Sequence, residues 1–122
     1  MTTTMPHTRP LSQVEIEQKI MSVIEELERQ TEEYDDIAQA AAEAEADYKR
    51  DYARMVLAVV SSAEGKMTVD ERTARVEAST TDAHRNYLIR QAARNARRES
   101  LLSLRDHLDA LRTLSASVRA QT

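Results

Sequence analysis

Apolar or small residues recur along the first half of the chain at alternating steps of three and four, with one extra step of four between Tyr48 and Tyr52 that resembles a stutter. The stripe, which includes one glutamine, consists of Ile16, Ile20, Val23, Leu27, Gln30, Tyr34, Ile37, Ala41, Ala44, Tyr48, Tyr52, Met55 and Val59. This alternation is typical of a coiled-coil helix that buries one face. Because a long amphipathic helix is stable only when its apolar stripe is covered, the pattern also predicts a partner helix.

The second half of the chain has a matching stripe in two parts. The first part comprises Val69, Thr73, Val76, Thr80, Ala83 and Tyr87, and the second Leu101, Leu104, Leu108, Leu111, Leu114 and Val118. Arginines occupy the heptad positions between these parts, at Arg90, Arg94 and Arg97. Two interpretations stay open for this interval. Either it faces a further partner, or the stripe rotates onto Ile89, Ala92, Ala93 and Ala96.

Gly65, the only glycine in the chain, lies between the two stripes. Glycine commonly ends a helix because it adopts positive φ without a steric clash. Capping boxes at Ser12–Glu15 and Thr68–Glu71 each mark a helix start. We therefore predict an all-α fold, a long antiparallel two-helix coiled-coil hairpin. Its predicted parts are a disordered tail over residues 1–11 and a hairpin over 12–122, with a helix at 12–64, a turn at 65–67 and a helix at 68–120.

The charge distribution agrees with antiparallel pairing. Twelve acidic residues lie between residues 12 and 47, and eight arginines lie between residues 84 and 119. Folding at Gly65 places the acidic residues 32–36 opposite the arginines at 94–98, and Tyr48 level with Ala83. Exposed ion pairs add little stability individually, but together they favour one pairing direction.

Some large aliphatic residues lie outside the predicted stripes, where a two-helix hairpin leaves them uncovered. They are Val56, Val60, Leu88, Ile89 and Leu102. We predict that they bind a partner, most simply a second copy in a dimeric four-helix bundle.

The sequence contains no recognisable catalytic machinery. It has no cysteine, no glycine-rich phosphate loop and no Gly-x-Ser-x-Gly motif, so we predict no enzyme activity, no catalytic residue and no cofactor. Glu43 and Asp47 would come level with Asp82 and His84, a set of side chains that can bind a divalent cation. A solvated charge cluster is the interpretation that we favour, and we predict no metal site.

A run of arginines on the second predicted helix has two interpretations. Its members are Arg85, Arg90, Arg94, Arg97 and Arg98. They can follow the phosphates of a nucleic acid, or they can pair with the acidic residues 32–36. Because the net charge is -4, we favour the second interpretation and keep direct DNA binding as the alternative. No apolar stretch approaches the length of a membrane span, so we expect a cytoplasmic protein with no membrane partner.

Three stretches from residue 48 to residue 120 carry a resemblance to a known group of proteins. They are Tyr48-Lys49, EGKMTVDER at residues 64–72 and RDHLDALRTL at residues 105–114. These stretches resemble small all-helical proteins of actinobacterial bacteriophages and prophages. The resemblance implies an accessory factor in recombination or DNA replication, or a factor that binds a host protein. A structural assembly or scaffold factor is a further alternative.

Overall fold

The computed structural model describes residues 11–62 and 67–121. Within these residues the chain forms three helices and no strand: α1 (Gln13–Ser62), α2 (Val69–Ser79) and α3 (Thr81–Ala120). The fold is therefore all-α. The predicted tail, Gly65 and most of the predicted turn lie outside the described residues.

Side-chain caps explain where α1 and α2 begin. The hydroxyl of Ser12 accepts a hydrogen bond from the backbone N–H of Glu15 at 3.2 Å, and that of Thr68 accepts one from Glu71 at 3.1 Å. Each cap satisfies a backbone donor that has no partner inside the first turn of a helix. Both N-caps that the sequence predicts are thus confirmed.

The chain divides into two compact units, of which the first combines residues 11–31 with residues 100–121. Its core consists of Val23, Leu108 and Leu111, with Ile20, Ile24, Leu27 and Leu104 packed around them. At its edge the side-chain amide of Gln13 donates a hydrogen bond to the Ser115 hydroxyl at 2.8 Å. Helix α1 and helix α3 therefore meet through an aliphatic core with one polar contact beside it.

The second unit comprises residues 32–99. Its buried side chains are smaller than those of the first unit, with Ala41, Ala44, Val59 and Val76 nearly inaccessible to solvent. Small side chains let helix backbones approach closely. They also bury less aliphatic volume than the leucines and isoleucines of the first unit.

The predicted stripe of α1 is confirmed, because all thirteen of its positions are buried or half-buried. The second stripe differs from the prediction at Val69 and Thr73 on α2 and at Leu114 on α3, which are exposed. Arg94 and Arg97 are half-buried, whereas Ile89, Ala92, Ala93 and Ala96 are exposed, so the proposed rotation of the stripe is wrong. Near the end of α3, Ser115 is buried and Leu114 is 40% exposed.

The predicted helix over 68–120 is interrupted at Thr80. This residue has φ -113° and ψ 13° and separates α2 from α3. Three successive hydroxyls there donate to carbonyls one turn back: Ser79 to Arg75 at 2.9 Å, Thr80 to Val76 at 2.8 Å and Thr81 to Glu77 at 3.0 Å. Such bonds compete with the backbone N–H groups for the same acceptors and bend helices.

Candidate functional site

Large aliphatic side chains remain exposed in both units. All five of the predicted partner-binding residues are among them, at 36% to 59% exposure: Val56, Val60, Leu88, Ile89 and Leu102. Val14, Met21 and Leu57, which the sequence analysis did not single out, are exposed as well, and so is Val69, which it placed in the second stripe. Single exposed aliphatics are common on proteins, but clustered ones mark interaction surfaces.

Val56 and Val60 lie on one side of an apolar groove in the second unit. The groove has a volume of about 180 Å³ and runs between the end of α1 and helix α2, lined by Tyr52, Val56, Val59, Val60, Val69, Arg72, Thr73 and Val76. We call it the α1–α2 groove. Val59 and Val76 are buried in it, whereas Val60 and Val69 are exposed at 49% and 68%. Its walls thus present apolar surface to solvent.

Arg72 gives the α1–α2 groove a positive group. Its Nε atom is buried and has no hydrogen-bond partner among the described residues. A buried N–H without an acceptor is unfavourable, particularly on a charged side chain. The groove therefore combines aliphatic surface with a positively charged side chain.

Leu88 and Ile89 form a separate exposed pair on α3 within the second unit. The neighbouring Tyr87 and Gln91 are half-buried, so the pair lies on the side of α3 that the unit leaves uncovered. Leu102, on the same helix, is exposed in the first unit.

The arginine run divides according to the direction of its side chains. Arg97 is half-buried, and its Nη1 atom lies 2.8 Å from the Glu33 carboxylate. This contact is one of those expected from pairing with the acidic residues 32–36. Arg94 is also half-buried, whereas Arg85, Arg90 and Arg98 are exposed. The run is therefore not a continuous exposed basic surface.

The largest aromatic cluster lies in the second unit. The ring of Tyr48 stacks on His84 with 4.7 Å between centroids and on Tyr87 with 5.7 Å, and it meets Tyr52 edge-on at 6.0 Å. The sequence analysis placed Tyr48 level with Ala83 and missed these ring contacts. Their helical spacing of three and four residues was the available signal.

Three of the four residues considered for a cation site have other contacts. His84 stacks on Tyr48, Asp47 lies 3.2 Å from Arg50, and the Glu43 carboxylate accepts a hydrogen bond from Gln39. Across the described residues, no group of three or more His, Asp or Glu side chains is arranged to bind a metal ion.

Glu45 and Lys49 form an exposed ion pair of 2.8 Å on α1. The hydrogen bond from Lys49 and its positive charge lower the pKa of Glu45, and Arg94 adds a smaller effect in the same direction. The same pair raises the pKa of Lys49. Arg94 thus lies close enough to α1 to influence a carboxylate there.

The arrangement defines an all-α protein with exposed apolar surface. No helix within the described ranges is both long and apolar enough to span a bilayer. Comparison with protein-family models gave no match, and comparisons with curated proteins and with solved structures gave no significant match.

Proposed function

We propose that this protein is a non-catalytic interaction module, an antiparallel helical hairpin that self-associates into a four-helix bundle. One observation carries the proposal. Five aliphatic residues outside the predicted stripes are exposed, namely Val56, Val60, Leu88, Ile89 and Leu102. Covering them in a bundle of two copies removes apolar surface from water, which drives association.

Within this proposal the protein acts as an accessory factor of bacteriophage type, in recombination or DNA replication, by binding another protein. The resemblance of residues 48–120 supports this role. A scaffold factor would use the same apolar surfaces but would form large or open-ended assemblies rather than dimers.

The pair on α3 provides the test of self-association. Introducing carboxylates by Leu88→Glu and Ile89→Glu places charges on an apolar contact, so the molar mass in light scattering is expected to fall to that of a monomer. Asn86→Glu adds a carboxylate at an exposed position of the same helix and serves as the control. An unchanged mass in the Leu88/Ile89 variant would exclude a bundle that uses this surface.

The hairpin itself is tested by cross-linking, which is simple because the chain has no native cysteine. Glu17 and Arg119 form an ion pair of 3.4 Å, and Glu33 and Arg97 form one of 2.8 Å. Cysteines that replace each pair are expected to be joined within one chain by a bismaleimide reagent, which spans the length of the two original side chains. Both pairs should yield a monomeric band of altered mobility on non-reducing gels. Cross-links only between chains would contradict the hairpin.

Direct DNA binding is the second candidate, supported by the exposure of Arg85, Arg90 and Arg98 on α3. A gel-shift titration at low salt tests it, because binding through phosphates weakens steeply as salt is raised. Replacing Arg90 and Arg98 by glutamate should then abolish the shift. No retardation of DNA by the unmodified protein would exclude this function.

A further inference from the structure

We infer that the α1–α2 groove binds the beginning of α1 from a second copy of the chain. This inference rests on the proposed self-association and names the surfaces that meet. One surface is the groove with Arg72. The other is an exposed stripe on α1 in the first unit, formed by Val14, Met21 and Glu25.

The stripe on α1 is unusual because large apolar residues lie opposite the face that the first unit buries. Val14 and Met21 are 62% and 56% exposed, and Glu25 is also exposed. Steps of seven and four residues place all three on one side of a helix. The buried Ile16 and Val23 lie on the opposite side.

The dimensions of the two surfaces agree. Val14 and Met21 are seven residues apart, roughly 10 Å along a helix that rises 1.5 Å per residue. Val69 and Val76, which line the groove on α2, have the same separation. Methionine is flexible and packs well into irregular apolar gaps. The two apolar anchors on α1 therefore have the same spacing as two groove-lining residues of α2, of which Val69 is exposed and Val76 is buried.

Charge complementarity favours this occupant over a purely apolar one. The half-buried Arg72 gives the groove a positive charge, and Glu25 lies one turn beyond Met21. A carboxylate brought to the groove would accept from the guanidinium, and such charge-assisted bonds are strong. The α1 stripe provides this carboxylate next to its apolar anchors.

This contact joins two different surfaces of the chain. In a two-fold pair of copies it occurs twice, because the groove of each copy receives the α1 stripe of the other. Leu88 and Ile89 do not line the groove, so substitutions there and at Arg72 test different parts of the pair.

A charge-reversal cycle in sedimentation equilibrium tests the inference. Arg72→Glu and Glu25→Arg are each expected to weaken self-association by about tenfold or more, because each leaves like charges facing each other. The double variant Arg72→Glu/Glu25→Arg restores the pair in reversed polarity and should return to within about threefold of the unmodified protein. Arg75→Glu/Glu25→Arg is the matched control, since Arg75 is exposed on α2 outside the groove, and it should remain weak.

Circular dichroism of every variant separates loss of association from loss of helix. Two single variants that associate normally, or a double variant as weak as its parents, would overturn the groove contact. The Leu88/Ile89 variant tests the bundle separately. If its molar mass falls to that of a monomer while the Arg72 and Glu25 variants associate normally, the proposed function is retained and this inference is rejected. A monomeric unmodified protein would reject both.

Discussion

Leu111→Ala tests whether the first unit is stabilised by its aliphatic core. Leu111 is 6% exposed and belongs to the cluster with Val23 and Leu108. Removing a buried leucine side chain loses its transfer free energy and leaves a cavity, at a cost of 2–5 kcal/mol in compact cores. We expect about 2–3 kcal/mol here, the lower part of that range, because the surrounding Ile20, Ile24 and Leu104 are only partly buried.

Leu114→Ala is the matched control for this substitution. It makes the same chemical change one turn further along α3, at a side chain that is 40% exposed. Alanine has a higher helix propensity than leucine, by the same amount in both variants. The difference between their losses in free energy of unfolding therefore reflects how deeply each leucine is buried. We expect Leu114→Ala to cost about 1 kcal/mol or less, since part of its surface is already in water.

Urea unfolding followed by circular dichroism provides the measurement. Both variants should be compared at one protein concentration, because association contributes to apparent stability. An unchanged slope with denaturant would show that the native compactness is retained. If the two free energies of unfolding agree within about 0.5 kcal/mol, the core assigned to Leu111 does not exist as described.

Three further predictions concern polar contacts. Thr68→Ala should destabilise α2 by about 1 kcal/mol in urea unfolding, because it removes the N-cap acceptor. Arg97→Ala should cost about 1 kcal/mol at low salt and less in 1 M salt, since its partner Glu33 is partly solvated. Lys49→Met should raise the pKa of Glu45 in an NMR titration, because the lysine hydrogen bond and charge lower it. The ionised Glu45 carboxylate contributes to stability above the pKa that it has in the unfolded chain. This contribution is lost as the pH falls through its lowered pKa in the folded protein.

The Thr68 and Arg97 predictions each have a control in the same helix. Thr73→Ala removes a hydroxyl that donates to the Val69 carbonyl, and it should cost less than Thr68→Ala. Arg98→Ala removes an exposed arginine beside Arg97, and its effect should be near zero. A Thr73 variant as unstable as the Thr68 variant, or an Arg97 variant insensitive to salt, would contradict the assigned contacts.

Periodicity alone sufficed to predict the buried face of α1. Steps of three and four residues fix one face of a helix. The residues from Ile16 to Val59 at that spacing, with one extra step of four from Tyr48 to Tyr52, are all buried or half-buried. The five leftover aliphatics were predicted by the same reasoning, and their exposure agrees with it. Their role in binding stays a prediction.

The middle of α3 could not be predicted from hydrophobicity, because its inward positions are arginines. Arg94 and Arg97 keep the heptad phase that leads to Leu101 and Leu104. Long arginine stems can lie along a helix interface while the guanidinium reaches its edge. Rotating α3 to bury its alanines would have disrupted this heptad spacing, and the alanines would have buried little apolar surface in return.

Two local features depend on side-chain direction and therefore escaped the sequence analysis. Side chains in a helix lean toward its N-terminus, so aligning residues by number misplaces a long ring by part of a turn. The Tyr48 ring consequently stacks on His84 and Tyr87. The interruption at Thr80 depends on three hydroxyls adopting the same backbone-bonding rotamer, which the run of residues 79–81 permits but does not require.

The polar contacts between α1 and α3 have a different role from the aliphatic ones. The first unit has the Gln13–Ser115 hydrogen bond at 2.8 Å, and the second has the Glu33–Arg97 pair at 2.8 Å. Such pairs add little net stability, since each partner was well solvated before folding. Sliding one helix by a turn would break both polar pairs. The aliphatic and alanine contacts would be lost too, but similar residues one turn away would replace most of them. We therefore expect the aliphatic residues to determine how strongly the helices pair, and these two polar contacts to determine the alignment in which they do so.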